Sequence, residues 1–152
     1  MATHEFFDNL VDFGDNPYLT GPHEPVRNEI SEAKLECIGE IPTDFSGIYL
    51  RNGPNQRFQP YGNYHWFDGD GMVHSAQFKD GKVSYKNKWV TTRAFKKESN
   101  KKKSIWPGLM DTPNRTLETA WGSDQWLKDN SNTDITIHAG KAISTFYQCG
   151  EA

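Results

Sequence analysis

Residues 47–58 read GIYLRNGPNQRF, and residues 64–95 read YHWFDGDGMVHSAQFKDGKVSYKNKWVTTRAF. Asp80-Gly81 lies between two alternating runs, 72–79 and 82–91. A two-residue Asp-Gly loop favours a type I′ turn, because both central residues need φ > 0. Such a turn fixes the register of a β-hairpin. Phe78 then faces Val83, Ala76 faces Tyr85, His74 faces Asn87 and Met72 faces Trp89. Apart from Val73 and Val90, every apolar residue of both runs falls on that one side. The opposite side carries Ser75, Gln77, Lys79, Lys82, Ser84, Lys86 and Lys88. A slip of one residue would turn the apolar set into water, so pattern and turn agree. An isolated hairpin is marginal, so this one needs further sheet.

Outward from the hairpin, the punctuation stays β-like. The spacing predicts short strands at 34–41, 47–51 and 64–67, ended by Pro42-Thr43-Asp44, Asn52-Gly53-Pro54 and Asp68-Gly69-Asp70-Gly71. A second hairpin is predicted from 135–139 and 142–149 around Gly140-Lys141. Residues 1–33 read as a proline-punctuated arm, and 34–152 as one β domain. Within it, 96–132 shows no period of 2 or 3.6 and reads as a variable loop insertion, with a short helix at 123–128 capped by Ser123.

Composition sets limits. The chain has 152 residues, a net charge of −3, and 13% aromatic residues. Aromatic content this high argues against disorder. The mild acidity gives no reason to expect nucleic acid. Residues 1–20 carry Glu5, Asp8, Asp12 and Asp15 with no apolar core, unlike a secretory leader. No run approaches the ~20 apolar residues of a membrane span. Cys37 and Cys149 lack metal-type spacing and read as buried, reduced thiols of a cytoplasmic protein.

Several motifs invite chemistry. Arg51-Asn52-Gly53-Pro54 resembles a glycine loop but lacks the Lys-Ser/Thr of a phosphate cradle, and reads as a turn with a buried or capping arginine. Asp68-Gly69-Asp70-Gly71 lacks the later ligands of a calcium loop, and reads as a turn whose carboxylates cap backbone amides. His65 and His74 flank it. Two His and a carboxylate can form an iron facial triad. A hydrogen-bonded His74 opposite Asn87 explains that residue without metal. The lysines of 96–103 read as a solvated loop. The apolar run 105–110 reads as core, or as a lip that meets a greasy substrate or a membrane surface.

The order of these motifs is similar to that of the carotenoid cleavage oxygenases, a family including carotenoid, apocarotenoid and lignostilbene dioxygenases and retinal pigment epithelial membrane protein-like members. Residues 40–55, EIPTDFSGIYLRNGPN, resemble the family's entry segment, and 64–74, YHWFDGDGMVH, its most recognisable signature. Residues 82–95, 132–134 and 138–141 resemble later strands. The resemblance implies an all-β fold, the N-terminal portion of a seven-bladed β-propeller. At ~40–50 residues per blade, this length supplies two to three blades' worth of strands. It implies a parent enzyme that uses Fe(2+) and dioxygen to cleave a carbon–carbon double bond of a carotenoid, apocarotenoid or stilbene-like substrate. None of His4, His23, His65, His74 and His138 matches an iron-ligand motif, so the resemblance places the ligands downstream of Ala152, and the segment itself is expected to be inactive. Arg51, Asn52, Gly53, Pro54, Asp68, Gly69, Asp70, Gly71 and His74 are then structural family positions. Many members place a glutamate near 146–148 that orients an iron-bound imidazole; here Tyr147 or Gln148 stands there, and neither is acidic. Stilbene-cleaving members can carry a lysine just before it, a charge that neither Phe146 nor Tyr147 offers. A small non-catalytic β-rich binding module, or a degenerate relative, is the alternative of a different class.

Overall fold

The computed structural model describes residues 11–112 and 128–147. Strands β1 (Ser31–Glu32), β2 (Gly47–Asn55), β3 (Asp70–Lys79) and β4 (Lys82–Trp89) form an antiparallel four-stranded sheet in the order β1-β4-β3-β2. Helix α1 (Arg93–Lys101) follows β4, and β5 (Asp134–His138) pairs with β6 (Lys141–Thr145) in a second sheet.

The β3–β4 hairpin has the register that its sequence predicts: Phe78 opposite Val83, Ala76 opposite Tyr85, His74 opposite Asn87, Met72 opposite Trp89. Asp80 and Gly81 take φ of 51° and 69°, the left-handed pair that a type I′ turn demands. Met72 is fully buried on the inner face. Its sulfur lies between two buried amides, Asn55 Nδ2 at 3.5 Å and Asn87 Nδ2 at 3.3 Å. These asparagines stitch the preceding segment to the sheet. Asn55 donates to Val26 O (2.7 Å) and accepts from Val26 N (2.8 Å). Asn87 accepts from Ile30 N (2.5 Å) and donates to Asn28 O (3.0 Å). Met72→Ala is therefore expected to destabilise by about 2–5 kcal/mol, because the cavity also removes the contact surface of both amides. Chemical denaturation checks this; a loss below about 1 kcal/mol would mean that the site collapses freely.

Four local expectations differ from the structure. Residues 34–41 do not form a strand. The free edge of β4 is taken by β1, with one further bond from Leu35 N to Val83 O (2.9 Å), after which the chain leaves the sheet. Strand β2 does not stop at Asn52-Gly53-Pro54 but runs through it to Asn55. Pro54 is tolerated because β2 is an edge strand and the missing N–H interrupts no ladder on that side. Residues 64–67 are not a strand either: Trp66–Asp68 is a single 3₁₀ turn with His65 as N-cap. In the second hairpin the turn is Ala139-Gly140 (φ 48° and 76°), one residue earlier than expected, with His138 opposite Lys141.

The lysine run is also not a loop. Residues 93–101 are helical, with Thr92 Oγ1 accepting from Phe95 N (3.0 Å) as the N-cap. Ala94, Phe95 and Glu98 are the buried positions, spaced as one helix face, while Lys96 and Lys101 stay in solvent. Trp106 packs on Ala94 beneath Ile105. Leu109 and Met110 remain exposed, so the 105–110 run divides between core and surface. Cys37 is exposed rather than buried. Cys149 and the expected helix start at Ser123 lie outside the described residues.

Candidate functional site

The DGDG segment is where three parts of the chain meet. Its first aspartate does what a turn predicts. Asp68 Oδ2 accepts from His65 N (2.8 Å), and His65 Nδ1 accepts from Phe67 N (3.2 Å), closing a reciprocal cap. Asp68 Oδ1 also accepts from Leu109 N (2.8 Å), which holds the 105–110 segment against the turn. Burial pushes the Asp68 carboxyl up, partly offset by those two backbone donors.

Among the described residues Asp70 caps no amide, a correction to the turn reading. It is buried, and its Oδ1 sits 2.6 Å from Lys128 Nζ. Lys128 Nζ also donates to Glu98 Oε2 at 2.6 Å, and Glu98 Oε1 accepts from Ile105 N (2.7 Å). Burial alone would lower the Lys128 pKa; Asp70 and Glu98 outweigh it and raise it. The Asp70 carboxyl is pushed up by burial despite the ammonium. Arg57 supplies the second cation. It is buried, hydrogen-bonds Ser99 Oγ, and lies 4.5 Å from the Phe95 ring centroid and 5.0 Å from that of Phe58. Burial lowers its pKa, although Asp70, Glu29 and Glu98 act to raise it. These four side chains, Asp70, Glu98, Lys128 and Arg57, bring two charges of each sign together, the arrangement in which buried ions are tolerated.

Lys128 opens a polar strap. Residues 128–132 are all buried and none is apolar. Asn130 O accepts from Gly71 N (2.8 Å), and Asp129 O from Thr92 Oγ1 (3.1 Å). Asn132 Nδ2 donates to Gly69 O (2.6 Å) and Phe67 O (2.9 Å). Asn52 Nδ2, from the RNGP segment, donates to Ser131 O (2.8 Å) and Asp134 O (3.1 Å). Ser131 Oγ meets Ser144 Oγ at 2.8 Å. The strap therefore joins the first sheet, α1 and the second hairpin through hydrogen bonds rather than apolar contact. A small cleft beside it, about 30 Å³ of space for water centres, is bordered by Lys128, Glu98, Asp68, Trp106 and Tyr147. That is room for one or two waters.

The remaining motif residues separate from this cluster. His74 Nδ1 bonds Tyr85 Oη at 2.7 Å, not Asn87, whose amide is committed to the 28–30 backbone. Arg51 is exposed on β2 and neither buried nor capping. Burial and the Arg51 charge lower the His74 pKa. A depressed imidazole pKa contributes stability that is present above the unfolded value of about 6.5 and lost as pH falls through the folded value. The His74 ring is expected to titrate below ordinary histidine, and Arg51→Gln to move it back upward; ring-proton NMR against pH reads both. Of the other predicted positions, Tyr147 is partly exposed, and Gln148 lies outside the described residues.

Glu98, Lys128 and Arg57 had no sequence motif. The one available signal was Glu98, an acid inside a lysine run at helical spacing from Ala94. Among the described residues, no group of three or more His, Cys, Asp or Glu could hold a metal.

The antiparallel four-stranded sheet, tied by a polar strap to the hairpin of a second sheet, is part of a β-propeller, the fold of the solved structures it matches. The sequence profile of the retinal pigment epithelial membrane protein family matches residues 23–148, and the chain belongs to that family, the carotenoid cleavage oxygenases. It is 45% identical over 94 residues to carotenoid 9,10(9′,10′)-cleavage dioxygenase 1 of Pisum sativum, covering 61% of this chain and 17% of that protein. It is 36% identical over 132 residues to a carotenoid cleavage oxygenase of Mycobacterium tuberculosis, covering 85% of this chain and 24% of that one. The crystal structure of Pseudomonas brassicacearum lignostilbene dioxygenase superposes with a TM-score of 0.76 at 24% identity, over 88% of this chain and 27% of that one. The chain spans about a quarter or less of the length of these proteins.

Proposed function

We propose that this chain is the N-terminal portion of a non-haem iron(II) dioxygenase that cleaves a carbon–carbon double bond of an apolar polyene or stilbene-like substrate with molecular oxygen. The observation that carries the reading is the long match to carotenoid-cleaving relatives, 45% identity across 94 residues to the pea enzyme. Carotenoid or apocarotenoid is the favoured substrate class, since the relatives with the higher identities are named for carotenoid cleavage.

The described residues do not fit a resident iron. His65 Nδ1 is engaged as a cap acceptor, His74 Nδ1 is bound to Tyr85, and the His23 ring stacks edge-on against Trp66 at 4.4 Å. The reading therefore assigns the ligands to positions outside this chain and no chemical step to its own side chains. The role of this portion is to build the first sheets and hold them in register. Tyr147 or Gln148 is the position from which an iron-bound imidazole would be oriented. No helix among the described residues is long and apolar enough to cross a membrane. The protein is taken as cytoplasmic, with exposed Leu109 and Met110 available for peripheral contact with a membrane surface.

The test is to read the source gene past codon 152 and express the whole frame. Four separated histidines in strand contexts, stoichiometric iron, and cleavage of an apocarotenoid to two carbonyl products are expected. A stop directly after Ala152 would overturn the enzyme reading in favour of a binding module. Tight iron in the 152-residue chain would overturn the placement of the ligands.

A further inference from the structure

The cleft beside the strap has an acidic rim that the dioxygenase reading does not use. Two carboxylates tie the 61–68 turn and the 105–111 segment to each other. Asp68, from the turn, accepts from Leu109 N (2.8 Å). Asp111, from the segment, accepts from Asn63 N (2.9 Å), Asn63 Nδ2 (3.2 Å) and Gly108 N (3.1 Å). Both carboxylates converge on Gly108. A β-carbon there would run into Asp68 Oδ2 and stand 3.0 Å from Asn63 O, and the N–H of the same residue donates to Asp111 Oδ2. Among the described residues no lysine or arginine pairs with Asp68 or Asp111. The charges that act on Asp68 are His65 and Asp111, while Lys128 is held between Asp70 and Glu98.

Two orphaned oxygens face the same cleft. Gln56 and Asn130 border it and are 6% and 4% exposed. Their amide nitrogens are committed, Gln56 Nε2 to Phe58 O (2.7 Å) and Asn130 Nδ2 to Phe67 O (3.2 Å). Gln56 Oε1 and Asn130 Oδ1 are buried and accept from no donor among the described residues. The turn brings these oxygens to the rim. Asn130 is bonded to Phe67, next to Asp68, and a β-carbon on Gly69 would lie 2.7 Å from Asn55 N, next to Gln56.

We propose that this cleft binds calcium, with Asp68 and Asp111 as its charged ligands and the oxygens of Asn63, Gln56 and Asn130 lining the rest of the site. Half-buried carboxylates without a cation call for a countercharge, and two of them balance a divalent ion. Every group on offer is an oxygen, the ligand type of a hard cation. Two acids are too few to hold a metal by carboxylates alone, but calcium fills its shell of about six to eight oxygens with carbonyls and water. It also accepts irregular geometry, where magnesium demands a near-ideal octahedron. The backbone N–H groups on both carboxylates are no obstacle, because ligating carboxylates are themselves held by hydrogen bonds. About 30 Å³ of space suits one ion with a water. The ligands come from separate segments, which is why the DGDG string alone does not read as a calcium loop.

The test uses terbium, an oxygen-seeking ion of calcium's size, on the 152-residue chain at fixed ionic strength. Trp106 borders the cleft and serves as the antenna. Excitation of tryptophan is expected to give saturable terbium emission. Calcium should displace it with a Kd of about 10⁻⁴–10⁻³ M, the range of weak oxygen sites, and magnesium only at higher concentration. Calcium should also raise the thermal midpoint in a saturable way. Asp111→Asn should weaken binding about tenfold, since it removes one of two ligand charges. Gln56→Met should weaken it less and leaves both carboxylate contacts in place, and amide spectra check that each variant is folded. A readout without substitution is the side-chain carboxyl ¹³C signals of the native chain, where calcium should move those of Asp68 and Asp111. No saturable emission, no displacement by calcium, or movement of other carboxyls instead would overturn the site. Native affinity in folded Asp111→Asn would mean an adventitious ion only and overturn it too. The site is independent of the dioxygenase reading and can fail without it.

Discussion

Lys128→Met is expected to destabilise the chain by about 3–5 kcal/mol, the cost of removing one partner from a buried ion cluster. In the native chain a single ammonium sits 2.6 Å from both Asp70 and Glu98. Without it, those two buried carboxylates lose the ammonium they share, and Arg57 is the cation among the described residues that still acts on both. The pH dependence gives a second readout. The Asp70 carboxyl is already raised by burial, and loss of Lys128 raises it further. A carboxyl raised on folding contributes stability below its unfolded pKa and loses it as pH rises through the folded value. The variant should therefore gain more stability on acidification than the native chain, in which Lys128 holds the rise of the Asp70 carboxyl in check. Urea unfolding as a function of pH measures both effects. The combination Lys128→Met with Asp70→Asn and Glu98→Gln should regain much of the loss, because no uncompensated charge remains. If the single and combined variants are equally unstable, packing rather than charge holds the strap.

Gly71→Ala is expected to cost about 3 kcal/mol or more, at the upper end of overpacking. Its β-carbon would collide with the Ser131 carbonyl oxygen and lie 2.9 Å from Asn130 O, both main-chain atoms without a rotamer to yield. The same residue donates N–H to Asn130 O and accepts from Val90 N (2.8 Å), so the strap cannot move away without losing a bond. Gly140→Ala makes the contrast. Nothing lies within 4 Å of its β-carbon, and only its φ of 76° resists substitution. About 1 kcal/mol is expected there. Thermal melts of the pair test whether close approach outweighs backbone strain; equal losses would show that the strap is not anchored at Gly71.

Both effects arise in a segment that reads plainly as a turn. Asp68 behaves as a turn residue because its partner, His65 N, is three residues away. Asp70 does not, because its partner is Lys128, and no periodicity or spacing links positions so far apart. Glu98 was hidden the same way: in a lysine-rich stretch the eye sees charge, while the fold uses the Ala94–Phe95–Glu98 face.

The β3–β4 hairpin, its register and its buried face were legible from residues 72–91 alone, since a two-residue turn and a period of 2 are short-range quantities. The sequence by itself also determined the family, because the ordered motifs survive as a linear string. Tertiary structure alone decided that RNGP is strand and not turn, that residues 34–41 leave the sheet, and that His74 bonds Tyr85 while Asn87 holds the 28–30 backbone. It alone brought Asp70, Glu98, Arg57 and Lys128 together. The physical reason is common to all of these. A local hydrogen bond is fixed by neighbouring residues, but a buried polar group takes whichever partner the packed chain delivers, and that partner is not written near it.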